Sequence, residues 1–142
     1  MTDVKDSMLT VAHIISGLGQ GGAETVLYRL LQSSGPLLRH IVVSLTDEGI
    51  YGERLREMGV PVHVVSFRGL TGPVTGLWRL RQLLRQLQPN VVQTWMYHAD
   101  LFGGLAARLA GCRHVAWGIR NSGADLHRAS RSALLAARLC AS

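Results

Sequence analysis

The strongest constraint on this chain is a rhythm. Short apolar runs alternate with helix-length amphipathic stretches from Thr10 to Leu139, the pattern of successive βαβ units around a parallel sheet. Strand-like runs fall at Thr10 to Ser16, HIVVSL (His40 to Leu45), VPVHVVSF (Val60 to Phe67), NVVQTW (Asn90 to Trp95) and RHVAWGI (Arg113 to Ile119). Pro61 stands at the start of its run, where a missing N–H is tolerated. Between the runs, Gly22 to Ser33 places Val26, Leu27, Leu30 and Leu31 on one helical face, and Tyr51 to Met58 makes a short helix ended by Gly59. After the loop RGLTGPVTG, Val74 to Gln88 steps through Leu77, Leu80, Leu84 and Leu87 and stops at Pro89. Ala99 to Ala110 is a small-residue helix stopped by Gly111, and a further helical pattern, Ala133 to Leu139, begins after Ser130.

Five parallel strands with right-handed crossovers predict an α/β, Rossmann-like, doubly wound sheet, whose ligands bind beyond the carboxyl ends of the strands where strand order reverses. Function is therefore expected in the loops Gly17 to Gly21, Met96 to Asp100 and Gly118 to Asp125. The first is the most distinctive. Four glycines occupy six positions there, and the spelling Gly17-x-Gly19-x-x-Gly22 matches the dinucleotide fingerprint. A strand, a glycine turn and a helix start together make an anion site, because the first-turn N–H groups lack partners and the helix dipole is positive there. Glycine permits positive φ and lets a phosphate approach the main chain. Alternatively, Gly17 and Gly19 only shape the turn and Gly22 packs the helix. A dinucleotide would also want a carboxylate after the second strand, and Asp47, twenty-five residues past Gly22, roughly meets that requirement.

With 142 residues and 47% hydrophobic content, the chain fits one ordinary domain with a real core. The apolar stretch before the glycines, Met8 to Ser16, is too short for a membrane span and lacks a signal peptide's flanks. Cys112 and Cys140 make neither a CxxC pair nor a zinc spacing, so a reduced, cytoplasmic compartment without a disulfide is expected. Net charge is +6, and fourteen of the fifteen basic residues are arginine. That charge suits anionic lipid or phosphorylated ligands, but no arginine run interleaves with aromatics as single-strand nucleic-acid binders require, so no nucleic-acid partner is expected. The histidines at 40, 63, 114 and 127 show no metal-site spacing, and no metal is expected. His13, alternating with Ile14 on the first strand, is expected in the core. A P-loop lysine, HExxH and GxSxG are all missing from the sequence.

HIISGLGQGGAETVLYRLL, IVVSLTDEGIYGERLREMGVPVHVV, RLRQLLRQLQPNVVQTWMYHADLFGGLAARLAG and VAWGIRNS occur here in that order. Together they closely resemble the N-terminal half of bacterial retaining glycosyltransferases of family 4, with Gly21-Gly22-Ala23-Glu24 the most telling part. The resemblance runs from about Thr10 through nearly the whole chain. It implies a GT-B fold, in which an N-terminal acceptor-side domain faces a C-terminal domain that binds the nucleotide-sugar donor. Residues 1–142 would then be a single acceptor-side domain, cut short near its C-terminus, with the donor-binding domain lying outside the chain and the fragment inactive alone. The resemblance also implies that Gly19, Gly21 and Gly22 face the donor's diphosphate, that no cofactor or metal is needed, and that the acceptor is a glycan, a lipid-linked sugar or a small molecule, as in cell-envelope polysaccharide synthesis.

His98, just after the fourth strand, falls where the family often places an acceptor-side histidine; with Asp100 it could instead satisfy the first turn of the next helix. Arg120 and Asn121 follow the fifth strand, where many members carry a histidine. That histidine's role does not transfer to WGIRNS, but Arg120 suits a bidentate phosphate contact and Asn121 a hydroxyl. Glu24 is read as a carboxylate favoured by the helix dipole. Opposite the leucine face of the third helix, Trp78, Arg81, Arg85 and Gln88 align at steps of three, four and three. That stripe suits either peripheral contact with the inner face of a membrane or a solvated surface. Two rivals remain: a dinucleotide-binding oxidoreductase domain and a non-catalytic nucleotide- or membrane-binding module.

Overall fold

The computed structural model describes residues 8–67 and 72–118. Five strands, β1 (Leu9–Ile15), β2 (Leu38–Ser44), β3 (Val62–Val64), β4 (Val91–Trp95) and β5 (Val115–Gly118), alternate with α1 (Gly22–Ser33), α2 (Gly49–Glu57), α3 (Gly72–Leu87) and α4 (Tyr97–Leu109). All strand pairs are parallel, in the order β3-β2-β1-β4-β5. This is the predicted α/β sheet. Three helices start earlier than predicted: α2 at Gly49, α3 at Gly72, because Pro73 in a first turn gives up an N–H that no helix bond would use, and α4 at Tyr97. The predicted helix after Ser130, like Arg120 and Asn121, lies outside the described residues.

Alternation along the strands divides the core. Ala12, Ile14, Val43 and Val92 pack with Leu80 and Leu84 of α3 and Ala99, Ala106 and Ala107 of α4, while Ile15, Val42 and Trp95 pack with Leu27 and Leu31 of α1 and Tyr51 and Leu55 of α2. The buried face of α1 is narrower than predicted, since Leu30 points to solvent. The small residues of α4 have a packing cause. A Cβ on Gly103 would lie 3.0 Å from the Thr94 methyl, and one on Gly104 would fall inside the Trp117 ring of β5, so the helix can settle closely on the sheet.

His13 is a core residue, as predicted, only 1% exposed. Its bonding fixes a direction. The Trp95 indole N–H can only donate, and it does so to His13 Nδ1 at 3.2 Å. His13 therefore carries its proton on Nε2 and donates it to His40 Nδ1 at 3.0 Å, and His40 Nε2–H in turn donates to Ser34 Oγ at 2.6 Å. This neutral relay ties β4, β1 and β2 to Ser34, which caps the C-terminus of α1. Burial, reinforced by the charge His40 would carry, holds the His13 pKa down to about 3.

Candidate functional site

Strand order reverses between β1 and β4. Ile15 pairs with Trp95 at their carboxyl ends, so the glycine loop and the β4–α4 connection rise side by side from the sheet, at the switch point where doubly wound folds bind ligands. Neither helix that leaves this point has a side-chain cap: Gly21 precedes α1 and Met96 precedes α4, each without a side-chain hydrogen bond to the first turn. The first-turn N–H groups of both helices have no intrahelical acceptors, and two positive dipole ends meet at one crevice. Met96 adopts φ 73 and ψ 159, a conformation close to glycine-only that costs on the order of 1–3 kcal/mol and gathers at functional sites.

The loop is held from one side. Leu45 N–H donates to Ile15 O at 3.0 Å and Tyr51 N–H to Leu18 O at 3.1 Å, and the Thr46 hydroxyl donates to Ser16 O at 2.7 Å. Leu18 is fully buried beneath it. Gly49 makes this bracing possible: its φ is +50 and a Cβ there would overlap the Leu18 carbonyl. Sequence reasoning passed over Gly49, although Asp47-Glu48-Gly49 carries an ordinary turn signature. Gly49→Ala is expected to lower stability by about 2–3 kcal/mol, combining left-handed strain with the displaced carbonyl. Urea denaturation measures it, and an unchanged midpoint would show that the loop is not held this way.

The glycines divide by role. Positive φ among the described glycines occurs at Gly49, Gly59 and Gly111 and nowhere in the loop, so conformational freedom is not what requires glycine at positions 17 to 22. A Cβ on Gly17 would press on Thr46 Oγ1 at 2.8 Å, and one on Gly21 would press on the Glu24 carboxylate at 2.5 Å. At Gly19 and Gly22 a Cβ would meet nothing within 4 Å. Those two open onto free space; Gly21 makes room for Glu24.

Of the other predicted residues, His98 is exposed in the first turn of α4, at the same end of the sheet as the glycine loop. Asp100 does not cap that turn by a side-chain bond. It lies 3% exposed below the turn, where its Oδ1 accepts the Thr94 hydroxyl at 2.5 Å, and burial raises its pKa despite that bond. Ser16, which sequence reasoning did not single out, has a buried hydroxyl with no partner at the mouth of β1. Asp47 is near enough to the loop that a Cβ on Gly17 would sit 3.7 Å from its Oδ1. Among the described residues, no three His, Cys, Asp or Glu side chains are grouped to hold a metal ion.

The family model for Glycosyltransferase Family 4 matches residues 20–137. The chain belongs to glycosyltransferase family 4. Similarity to other glycosyltransferases agrees. This family 4 chain is 30% identical over 112 residues to the putative glycosyltransferase EpsF of Bacillus subtilis, covering 76% of the chain and 29% of EpsF. It is 32% identical over 108 residues to a UDP-N-acetylglucosamine–N-acetylmuramyl-(pentapeptide) pyrophosphoryl-undecaprenol N-acetylglucosamine transferase of Pseudomonas syringae, covering 67% and 30%. It thus spans under a third of the length of these curated relatives. Among solved structures, Anabaena HepE in complex with UDP and glucose superposes with a TM-score of 0.74 at 18% identity, covering 94% of the chain and 35% of HepE. Acinetobacter baumannii MurG gives 0.59 at 19% identity, covering 87% and 40%. The fold is the Rossmann-like half of a GT-B glycosyltransferase. That membership stands against the dinucleotide-binding oxidoreductase rival.

Proposed function

We propose that this chain is the acceptor-side, N-terminal half of a retaining glycosyltransferase that works with a donor-binding half. The observation that carries this reading is the pair of uncapped helix N-termini meeting at the switch point, with Gly19 and Gly22 opening onto free space beside them. Main-chain N–H groups there suit the diphosphate of a nucleotide sugar. They stabilise the charge that grows on the leaving phosphate and need no reorganisation, because Thr46, Leu45 and Tyr51 already hold the loop. With those donors in place, and Arg120 as a further phosphate partner and Asn121 as a hydroxyl partner, transfer runs without a metal or other cofactor. HepE, a protein of the same fold, was solved with UDP and with UDP-glucose, which supports a uridine nucleotide donor here.

His98 orients the acceptor, a glycan or a lipid-linked sugar of cell-envelope synthesis, from the other wall of the crevice. The enzyme acts in the cytoplasm at the inner face of the membrane. The test is steady-state transfer by the full chain with a donor-binding half in place, with the product anomer read by NMR. His98→Ala is expected to cost about 10- to 100-fold, the share of one positioning hydrogen bond, and to act on acceptor terms more than on donor KM. Inversion at the anomeric carbon would overturn the retaining mechanism. Loss of the rate in EDTA would overturn the metal-free one, and an unaltered His98→Ala would remove that residue from the site.

A further inference from the structure

The relay of His40, His13 and Trp95 runs diagonally across the sheet toward the crevice. His40, half-buried on β2, stands level with Val11 of β1; His13 is two residues further along β1, and Trp95 stands level with Ile15, two further again. The relay thus begins near the start of β2, within reach of solvent, and ends at the switch point. The residue after Trp95 is Met96, whose positive φ of 73 leads into α4 and its first residues, Tyr97 and His98.

Hydrogen-bond direction gives the relay two states. With His40 neutral, the Trp95 indole N–H donates to His13 Nδ1 and His13 Nε2–H donates to His40 Nδ1. A proton added to His40 must occupy Nδ1, because Nε2 already donates to Ser34 Oγ. Two N–H groups then oppose each other unless His13 carries its proton on Nδ1 instead. That tautomer accepts from His40, but it turns an N–H toward an indole that can only donate. Since a bond to the charged ring is the stronger kind, the bond given up is the one to Trp95. Burial keeps the added proton off His13, so it stays on the more exposed ring. Around the pair, α1 contributes Glu24 and Arg29, α2 contributes Glu53, Arg54, Arg56 and Glu57, and β2 and β3 contribute Arg39 and His63. Among the described residues, none of these bonds or pairs with either ring: Arg56 is held by Glu48 and the Val62 carbonyl, and Tyr51, packed on Tyr28, bonds Thr25.

We propose that His40 and His13 are positioning residues through which a proton taken from solvent frees the Trp95 indole and shifts the start of α4, so that the crevice wall carrying His98 responds to pH. Protonation of a histidine pair that biases a neighbouring element is a recognised form of switch. Burial lowers the His40 pKa, so the wall is held at and above pH 6.5 and released below it. The consequence for sugar transfer rests on the function proposed above, whereas the movement itself is read without donor or acceptor, and the two fail separately.

The isotope-labelled full chain, carrying His98→Gln so that this imidazole cannot titrate beside α4, is followed by NMR from about pH 7.5 to about pH 5.5. The Trp95 indole N–H signal is expected to move upfield as its bond is lost, with one midpoint below 6.5, and the Tyr97 amide signal to move with the same midpoint. Adding His40→Gln is expected to abolish both titrations, because the glutamine oxygen accepts from His13 Nε2–H and its amide N–H donates to Ser34 at every pH. Circular dichroism checks that each chain is folded. An indole signal that stays still overturns the proposal, as does a titration that survives His40→Gln. Unequal midpoints, or an indole that moves while Tyr97 does not, overturn it without the second variant by confining the relay to the core.

Discussion

Gly22→Val is expected to lower sugar transfer at least 100-fold in the full chain with its donor-binding half, while leaving stability within about 1 kcal/mol. The second expectation follows from the site of the substitution: Gly22 is the first residue of α1, exposed, and a Cβ there meets nothing within 4 Å, the setting in which surface changes have small effects. The first follows from the empty space itself. A branched side chain would fill the volume in front of the α1 N–H groups, and loss of one preorganised donor to a developing oxyanion costs about 10²-fold or more. Gly22 is a cleaner probe than Gly21, whose substitution would collide with Glu24 whatever the ligand. Turnover assays with thermal melts decide the matter, and a folded, fully active Gly22→Val protein would move the diphosphate away from this loop.

Acid is expected to destabilise the domain through His13, beginning before the carboxylates are titrated. The relay with Trp95 and His40 needs a neutral imidazole, and the His13 pKa falls from 6.5 to about 3 on folding. Because the unfolded chain takes up the proton first, stability is full above pH 6.5 and declines as pH falls toward 3, with a slope approaching about 1.4 kcal/mol per pH unit. The whole interval amounts to on the order of 4–5 kcal/mol, a large part of the stability of an ordinary domain. His40, lowered by its own burial, adds in the same direction. Asp100, raised by burial, opposes them between the ordinary aspartate value and its raised folded value, where the folded state takes up its proton first. Urea midpoints from pH 7 to 4.5, taken for the wild type and for Asp100→Asn, therefore isolate the histidines. His13→Gln should be less stable at pH 7 and show a flatter profile, and a wild-type midpoint constant over that interval would mean that folding tolerates His13 protonated.

Much of this was legible in the chain. Apolar runs alternating with leucine steps of three and four set five strands and four helices in order, because burial on both faces of a parallel sheet demands continuous hydrophobic runs and each covering helix demands a stripe. The glycine loop, the first-turn carboxylate of Glu24 and the core placement of His13 are all local patterns. Family membership was legible too, since it rests on motifs in sequence order.

Tertiary structure alone decided what the glycines are for. GxGxxG looks the same whether its residues relieve φ, clear a side chain or admit a ligand; only the positions of Thr46 and Glu24, brought there by the fold, separate Gly17 and Gly21 from Gly19 and Gly22. Gly49 gains its importance from Leu18, thirty-one residues away. The tautomers of His13 and His40 follow from an indole eighty-two residues from His13. A sequence pattern reports which residues will be buried and on which element, because those depend on neighbours along the chain. Which donor meets which acceptor, and which void stays open, depends on atoms that only the packed sheet brings together.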